Sequence, residues 1–301
     1  MTNALTVDVE EHFQVEAFAD SVAVDQWPLL PSRVTANTLR TLELFAELGL
    51  RATFFVVGWV AERNPQLLRE IAAAGHEVGC HSYLHQHLER LSPEAFRQDT
   101  RRARAVIEDA TGMSLKGYRA PSFSVTRRTL WALEILAEEG FRYDASVFPV
   151  RHDVYGMADA PRFPFRWSLP SGAELYEFPA STARFWGQNL PTGGGGYLRM
   201  LPLRYVRWTA RRIIQGDGQP LMVYFHPWEI DPEQPRMAGR WRSRLRHYHN
   251  LNGMEARLRA LLSGKTFAPA WDVLQRYLQT HEVPAIAAPA ALMPAAGSNA
   301  R

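Results

Sequence analysis

Residues 75–85 read Gly-His-Glu-Val-Gly-Cys-His-Ser-Tyr-Leu-His, a short strand-like run that ends in a loop. Enzymes of the α/β class place their chemistry in loops that follow such strands. His81 and His85 lie four residues apart, so one turn of backbone can aim both imidazoles at a single metal ion. The chain has ten histidines, and exposed or core histidines are the alternative interpretation of the pair. Its position after a strand favours the metal site.

Strand and helix segments alternate along the chain. Apolar runs predict strands at residues 4–9, 52–57, 76–80, 115–118, 141–144, 174–179 and 221–225. Helical periodicity, capping residues and terminal glycines predict helices at residues 35–48, 65–74, 93–110, 126–139, 205–215 and 254–262. This alternation is typical of a largely parallel sheet with right-handed crossovers, for which a barrel is the natural closure. The expected fold class is therefore α/β.

Composition excludes several classes of protein. The 301 residues are 46% apolar and 22% charged, and the net charge of +3 is too small to indicate nucleic-acid binding. Cys80 is the single cysteine, so an intrachain disulfide is impossible. The first residues lack the pattern of a signal peptide, and no uncharged run reaches the roughly 20 residues of a membrane span. We therefore expect a cytoplasmic protein.

Polar side chains follow the predicted strands. If the first strand stays extended, Asp8, Glu10 and His12 share one face, although a charged strand edge in water is the alternative. Later strand ends deliver Arg119, Asp144 and His226 in addition to the histidine pair. Hydrolysis of an amide with a divalent metal requires an open coordination position, a base for water, an acid for the amine and a group that fixes the base. Each part has a candidate here.

The order of these motifs resembles the polysaccharide deacetylases with a NodB homology domain, also called carbohydrate esterase family 4. His81-Ser82-Tyr83-Leu84-His85 corresponds to the family's His-Ser/Thr-x-x-His motif, and Arg119-Ala120-Pro121 corresponds to Arg-x-Pro. His226 ends an apolar strand, as in the last motif. The family's first motif, usually Thr-Phe-Asp-Asp, stands here as Thr6-Val7-Asp8-Val9-Glu10. This chain departs from the pattern, because Val9 replaces the metal-binding aspartate and Glu10 follows one residue later.

The resemblance implies a distorted (β/α) barrel and an N-acetylated glycan as substrate. The segments Asp-Val-Glu-Glu-His-Phe at residues 8–13, Gly-Gly-Gly-Gly-Tyr at 193–197 and His-Pro-Trp-Glu-Ile-Asp at 226–231 are similar to a subfamily associated with exosortase and exopolysaccharide loci. We expect one catalytic domain at residues 1–283, with a subfamily-specific region from about 150, and a disordered tail at 284–301. An association with a membrane-bound polysaccharide synthesis system fits this subfamily.

The metal-site hypothesis assigns Glu10, His81 and His85 as ligands of a divalent ion, zinc by ligand type. Glu11 and His12 remain alternatives for the third ligand. In the hypothesis, Asp8 is the base that accepts a proton from water, and Arg119 holds Asp8 by a charge-assisted bond.

The remaining assignments complete the reaction. His226 is the acid that protonates the departing amine, and Asp144 orients His226, although a turn-initiating aspartate is an equal alternative. The backbone N–H of Ser122 is expected to stabilise the oxyanion. Trp228 is a candidate for stacking on sugar, as are Trp167 and Trp186, although core packing is the commoner role of tryptophan.

Other functions remain open at this stage. The chain could be a peptidoglycan or cyclic-amide amidohydrolase of the same superfamily, or a glycan-binding protein with a decayed site, because the second aspartate of the first motif is missing. The glycine run at 193–196 is expected to be a mobile loop. The arginine-rich stretch 236–249 is expected to be a solvated surface, and a clamp for an anionic polymer or a diphosphate carrier is the alternative.

Overall fold

The computed structural model describes residues 1–152 and 155–289. Within them the strands are β1 (Asn3–Val9), β2 (Thr53–Val56), β3 (Glu77–Cys80), β4 (Gly117–Tyr118), β5 (Tyr143–Asp144), β6 (Phe165–Ser168), β7 (Glu174–Glu177), β8 (Thr182–Phe185), β9 (Gln188–Pro191), β10 (Met222–Phe225), β11 (Phe267–Ala268) and β12 (Ala285–Ala287). The α-helices are α1 (Val34–Leu48), α2 (Gly58–Arg63), α3 (Pro65–Ala73), α4 (Pro93–Thr111), α5 (Trp131–Glu138), α6 (Gly195–Met200), α7 (Leu203–Arg211), α8 (Trp241–Tyr248), α9 (Met254–Leu262) and α10 (Ala270–Thr280).

Ten strands form one sheet in the order β10-β1-β2-β3-β4-β5-β7-β6-β12, and β11 pairs with β1. Every pair in this sheet is parallel except β6 with β7. Strands β8 and β9 form a separate hairpin. No pairing within the described residues joins β12 to β10, so the barrel is distorted, as expected. The parallel order brings the carboxyl ends of β1, β3, β4 and β10 to one edge.

The core consists of apolar side chains that lie between the sheet and the surrounding helices. Strand β1 is buried along its whole length, which explains why its sequence is nearly continuous in apolar residues. Helix α4 begins at Pro93 with Ser92 as its N-cap and ends at Thr111, before Gly112 in the left-handed region, as the capping pattern predicts. In the described part of the chain, no helix combines the length and apolarity needed to cross a bilayer.

The structure differs from the sequence-based expectation in several elements. Helix α5 begins at Trp131, five residues after the predicted start at Thr126. The glycine run is not a free loop, because Gly193 accepts a hydrogen bond from Tyr224 and a Cβ at Gly194 would lie 1.9 Å from the Tyr224 carbonyl. The predicted disorder from residue 284 is wrong for β12, which pairs with β6, and residues 290–301 lie outside the described range.

Candidate active site

Glu10, His81 and His85 form a buried cluster at the carboxyl edge of the sheet. One ligand atom of each residue lies within 4.8 Å of the others. Glu10 Oε2 is 2.6 Å from His85 Nε2, yet this oxygen is buried and accepts no hydrogen bond of normal geometry. A buried carboxylate oxygen without a hydrogen bond is costly unless a cation satisfies it. The donor set of one carboxylate and two imidazoles suits a divalent metal.

Backbone carbonyls fix both imidazole rings. His81 Nδ1 lies 2.7 Å from the Arg119 carbonyl oxygen, and His85 Nδ1 lies 2.9 Å from that of Gln14. A carbonyl only accepts, so each Nδ1 carries a proton, and each Nε2 faces the cluster. Burial lowers the pKa of His81 to about 4, which keeps this imidazole neutral at neutral pH.

A carboxylate on helix α4 holds the loop that carries the two histidines. Asp99 accepts hydrogen bonds from Ser82 Oγ at 2.8 Å and from the backbone N–H groups of Tyr83 at 2.7 Å and Leu84 at 3.0 Å. Ser82 and His85 have positive φ angles of 64° and 52°, a region that non-glycine residues rarely occupy. Asp99 therefore stabilises a strained loop conformation, and no sequence pattern predicted this role.

Glu10 is the carboxylate that completes the cluster, whereas Glu11 and His12 point elsewhere. Strand β1 ends at Val9, so the side-chain alternation does not continue to His12, and the predicted shared face is wrong there. Glu11 Oε2 accepts a hydrogen bond from the backbone N–H of Arg33 at 3.0 Å. The His12 ring instead packs edge-on against Phe13, with ring centroids 5.1 Å apart.

Trp228 is buried and contacts Glu10. Its Nε1–H donates to Glu10 Oε1 at 2.9 Å, and only 5% of the residue is exposed. Its ring stacks on His226 and on His247, with centroids 5.1 and 4.2 Å away. His247 Nε2 in turn lies 2.7 Å from Gln234 Oε1. Trp228 therefore orients a ligand carboxylate, and because it also lines the active-site cavity, its role in substrate stacking stays a prediction.

The predicted pairing of Asp8 with Arg119 is confirmed. Arg119 Nη1 donates to Asp8 Oδ1 at 2.6 Å and to Thr6 Oγ1 at 2.8 Å. The guanidinium is fully buried, and its Nε donates to the Ala145 carbonyl at 3.1 Å. The other oxygen of Asp8, Oδ2, lies 3.9 Å from His226 Nε2. Arg119 thus occupies one carboxylate oxygen of Asp8 and leaves the second oxygen on the side of the histidines.

Glu229, and not Asp144, orients His226. Glu229 Oε2 lies 3.0 Å from His226 Nδ1, and Arg199 Nε donates to Glu229 Oε1 at 2.6 Å. The carboxylate of Asp144 instead accepts a hydrogen bond from Ser146 and interacts with Glu177. The prediction for Asp144 is wrong because this strand end turns its side chain toward a different buried acid. The spacing of His226-Pro-Trp-Glu229 was the available signal for the true partner.

The charges around His226 favour its protonated form. Burial alone lowers the pKa of this imidazole, but the carboxylates of Glu10, Glu229 and Asp8 raise it to about 9. Glu229 itself remains ionised, since burial raises its pKa while Arg199 and His226 lower it to about 2. His226 is therefore suited to donate a proton.

The cluster opens into a cavity of about 770 Å³. Asp8, Glu10, both predicted histidine ligands and His226 all line this cavity. Ser122 lines it too, with φ of 54° in the left-handed region, and its expected oxyanion role remains a prediction. The cavity is large enough for more than one sugar ring, as cavities of roughly 300–1,000 Å³ hold drug-sized ligands.

Comparison with known proteins assigns the class. Residues 21–143 match the family described as Polysaccharide deacetylase, and residues 145–275 match a Domain of unknown function (DUF3473). Residues 21–143 are therefore assigned to a polysaccharide deacetylase domain, of the type also known by NodB homology and as carbohydrate esterase family 4. The second match is consistent with the expected subfamily-specific region.

Individual relatives agree with this class. A peptidoglycan deacetylase of Helicobacter pylori is 33% identical over 108 residues, which is 36% of each chain. The chain thus spans about a third of the length of the first curated relatives. A Mycobacterium smegmatis structure assigned as a polysaccharide deacetylase has a TM-score of 0.59 at 22% identity, covering 93% of this chain and 91% of its own. A PuuE allantoinase structure also has a TM-score of 0.59, at 16% identity, covering 92% of this chain and 90% of its own. These structural likenesses show the fold.

Proposed function

We propose that the protein is a metal-dependent hydrolase that removes N-acetyl groups from amino sugars of a bacterial exopolysaccharide or its precursor. The observation that carries the proposal is the meeting of three groups in one cavity: the Glu10, His81 and His85 cluster, the Asp8–Arg119 pair and the His226–Glu229 pair. We also propose association with a membrane-bound polysaccharide synthesis system. The cytoplasmic location expected from the sequence stays a prediction.

The residues present fit a zinc ion. Two imidazoles and one carboxylate form a donor set that zinc hydrolases use, with a further position left for water. The unsatisfied Glu10 Oε2 and the carbonyl-bound Nδ1 atoms support such a cation. The chemistry that the ion supplies when bound is polarisation of the amide carbonyl and a lowered pKa for water.

The chain's own residues supply the proton transfers. Asp8, fixed by Arg119, accepts a proton as a water oxygen forms a bond to the acetyl carbon. Ser122 lines the cavity, and in the proposed reaction its backbone N–H donates to the oxygen that becomes negative. His226 then donates its proton to the sugar nitrogen as the carbon–nitrogen bond breaks, and acetate and a free amine result.

Acetate release from N-acetylglucosamine oligomers by the metal-loaded protein tests the proposal. We expect Asp8→Asn to retain the ion while turnover falls by about 10²-fold or more. The matched control is Asp109→Asn, which changes an exposed carboxylate on α4. Wild-type turnover by Asp8→Asn would remove this carboxylate from the chemistry.

The same assay separates the alternatives. Peptidoglycan strands are tested for acetate release, and a cyclic amide is tested for ring opening, which releases no acetate, because the Helicobacter relative is a peptidoglycan deacetylase and the allantoinase shares the fold. Release of acetate from peptidoglycan in preference to other glycans would replace the exopolysaccharide proposal. A glycan-binding protein with a decayed site is disfavoured, since binding requires neither the Asp8 base nor the His226 acid.

A further inference from the structure

Helix α8 lies at the rim of the active-site cavity. Arg240, Ser243, Arg246 and His247, spaced three and four residues apart, line the cavity. Arg199 Nη1 joins α6 to the end of α8 by donating to the carbonyls of residues 246, 247 and 249 at 2.8 to 2.9 Å. The helix is thus fixed beside the cavity mouth, and its remaining surface faces solvent.

Two large apolar side chains of this helix are exposed to solvent. Trp241 is 69% exposed and Leu245 is 62% exposed, and their spacing of four residues puts them on one side of α8. Met200, which also lines the cavity, is 50% exposed. Apolar side chains held together in water at the mouth of a cavity mark an interaction surface.

The same segment is strongly basic. Residues 234–254 contain five arginines and no aspartate or glutamate, whereas the other 280 residues hold 29 basic and 31 acidic residues. Among the described residues, only Arg240 of these five has a carboxylate partner, Asp20 at 3.8 Å, and both side chains are largely exposed. Such an exposed pair contributes little. The excess positive charge of the chain is therefore concentrated at α8.

We propose that the α8 face, defined as Trp241, Arg242, Arg244 and Leu245, docks on the surface of an anionic phospholipid bilayer. Exposed arginines attract anionic headgroups, while tryptophan and leucine enter the boundary between headgroups and acyl chains. Leu245 distinguishes this partner from an acidic glycan or a nucleic acid, because an exposed aliphatic side chain adds nothing to the recognition of either. The expected solvated surface at 236–249 thereby acquires a function.

Docking through α8 would place the cavity mouth next to the bilayer surface. A glycan that is attached to a lipid, or one that is emerging from a membrane-bound synthase, could then reach the cavity without leaving the membrane. The inference rests on the membrane association proposed above and not on deacetylation. Vesicle binding therefore tests it without a substrate, and acetate release tests the reaction separately.

Sedimentation with vesicles tests the docking face. The wild-type protein is mixed with vesicles of phosphatidylcholine alone or with roughly 30% phosphatidylglycerol, which carries the anionic charge. We expect binding to the anionic vesicles only. Arg242→Gln with Arg244→Gln should weaken that binding by about 10-fold or more. Trp241→Ser with Leu245→Ser should weaken it to a similar extent.

A charge-matched control lies on α4. Arg101→Gln with Arg102→Gln removes the same charge from exposed positions and should leave vesicle binding unchanged. Absence of wild-type binding, or an equal loss in this control, would overturn the proposal. Full binding by the Trp241 and Leu245 variant would also overturn it, since electrostatic attraction alone indicates a clamp for an anionic polymer. Unchanged metal content and circular dichroism verify that each variant is folded.

Discussion

The N-terminal region, residues 1–144, and the C-terminal region, residues 145–275, build their parts of the active site differently. In the N-terminal region, strand ends and backbone carbonyls position the ligands His81 and His85. In the C-terminal region, Glu229 orients His226, and Arg199 donates a hydrogen bond to Glu229. Three backbone carbonyls at the end of α8 in turn accept hydrogen bonds from Arg199. The metal side is therefore set by the sheet, whereas the acid side is set by a series of buried charged side chains.

Among the residues that support the site, the largest effect is expected from the C-terminal network. Glu229→Gln removes the charge that orients and protonates His226, so turnover should fall by about 10²-fold, within the range for an acid catalyst. Metal content should stay unchanged, because Glu229 contacts none of the three ligands through its carboxylate. Kinetics of acetate release and elemental analysis measure the two properties. Loss of the ion together with turnover would show that the two regions are not separable.

A smaller effect is expected from the loop support in the N-terminal region. Asp99→Asn leaves fewer acceptors for Ser82 Oγ and two backbone N–H groups. The affinity for the metal should fall by about 10- to 100-fold, as for other groups that orient metal ligands. A competition titration with a chelator measures the affinity, and Asp109→Asn on the same helix is the control. Equal affinities in both variants would contradict the role of Asp99.

Trp228→Phe probes the place where the two regions meet. The substitution keeps an aromatic ring but removes the N–H that donates to Glu10 Oε1. We expect metal affinity to fall by about 10-fold, at the lower end of the range for such supporting contacts. Trp27→Phe is a matched control, because Trp27 is also 5% exposed and its buried Nε1–H has no partner among the described residues. The same titration compares the two variants, and an equal loss would indicate packing alone.

Asp144 should affect stability rather than chemistry. Burial raises its pKa from 3.8 to about 6, so the folded chain binds this proton more tightly than the unfolded chain. Its stabilising contribution is complete below about pH 4 and is lost as the pH rises through about 6. Thermal unfolding between about pH 5 and about pH 8 should therefore show the wild type losing stability relative to Asp144→Asn. Unfolding temperatures that change equally with pH in the two proteins would contradict this role of Asp144.

Much of the site was predictable because its residues directly follow apolar strands. The ends of β1, β3, β4 and β10 are marked in the sequence by Asp8, His81, Arg119 and His226. Parallel pairing then brings these ends together without further information.

The supporting residues were not predictable from the same signals. Asp99 lies inside a helix, where a carboxylate usually faces solvent, and Arg199 acts on Glu229 across 30 residues. The sequence of the short helix α8 lacks the apolar periodicity of a buried helix, and its two large apolar side chains, Trp241 and Leu245, are exposed. Contacts between distant side chains leave no local pattern. The sequence therefore indicated Asp144 as the residue that orients His226, whereas Glu229 has this role in the structure.

The most direct test of the account is elemental metal analysis of four purified proteins: the wild type, the His81→Ala and His85→Ala double variant, Glu10→Gln and Glu11→Gln. We predict about one divalent ion per chain in the wild type and in Glu11→Gln, and little in the other two. Glu10 and the two histidines converge, whereas Glu11 accepts a hydrogen bond from the Arg33 backbone N–H. Retention by the double histidine variant, or loss in Glu11→Gln with retention in Glu10→Gln, would contradict it.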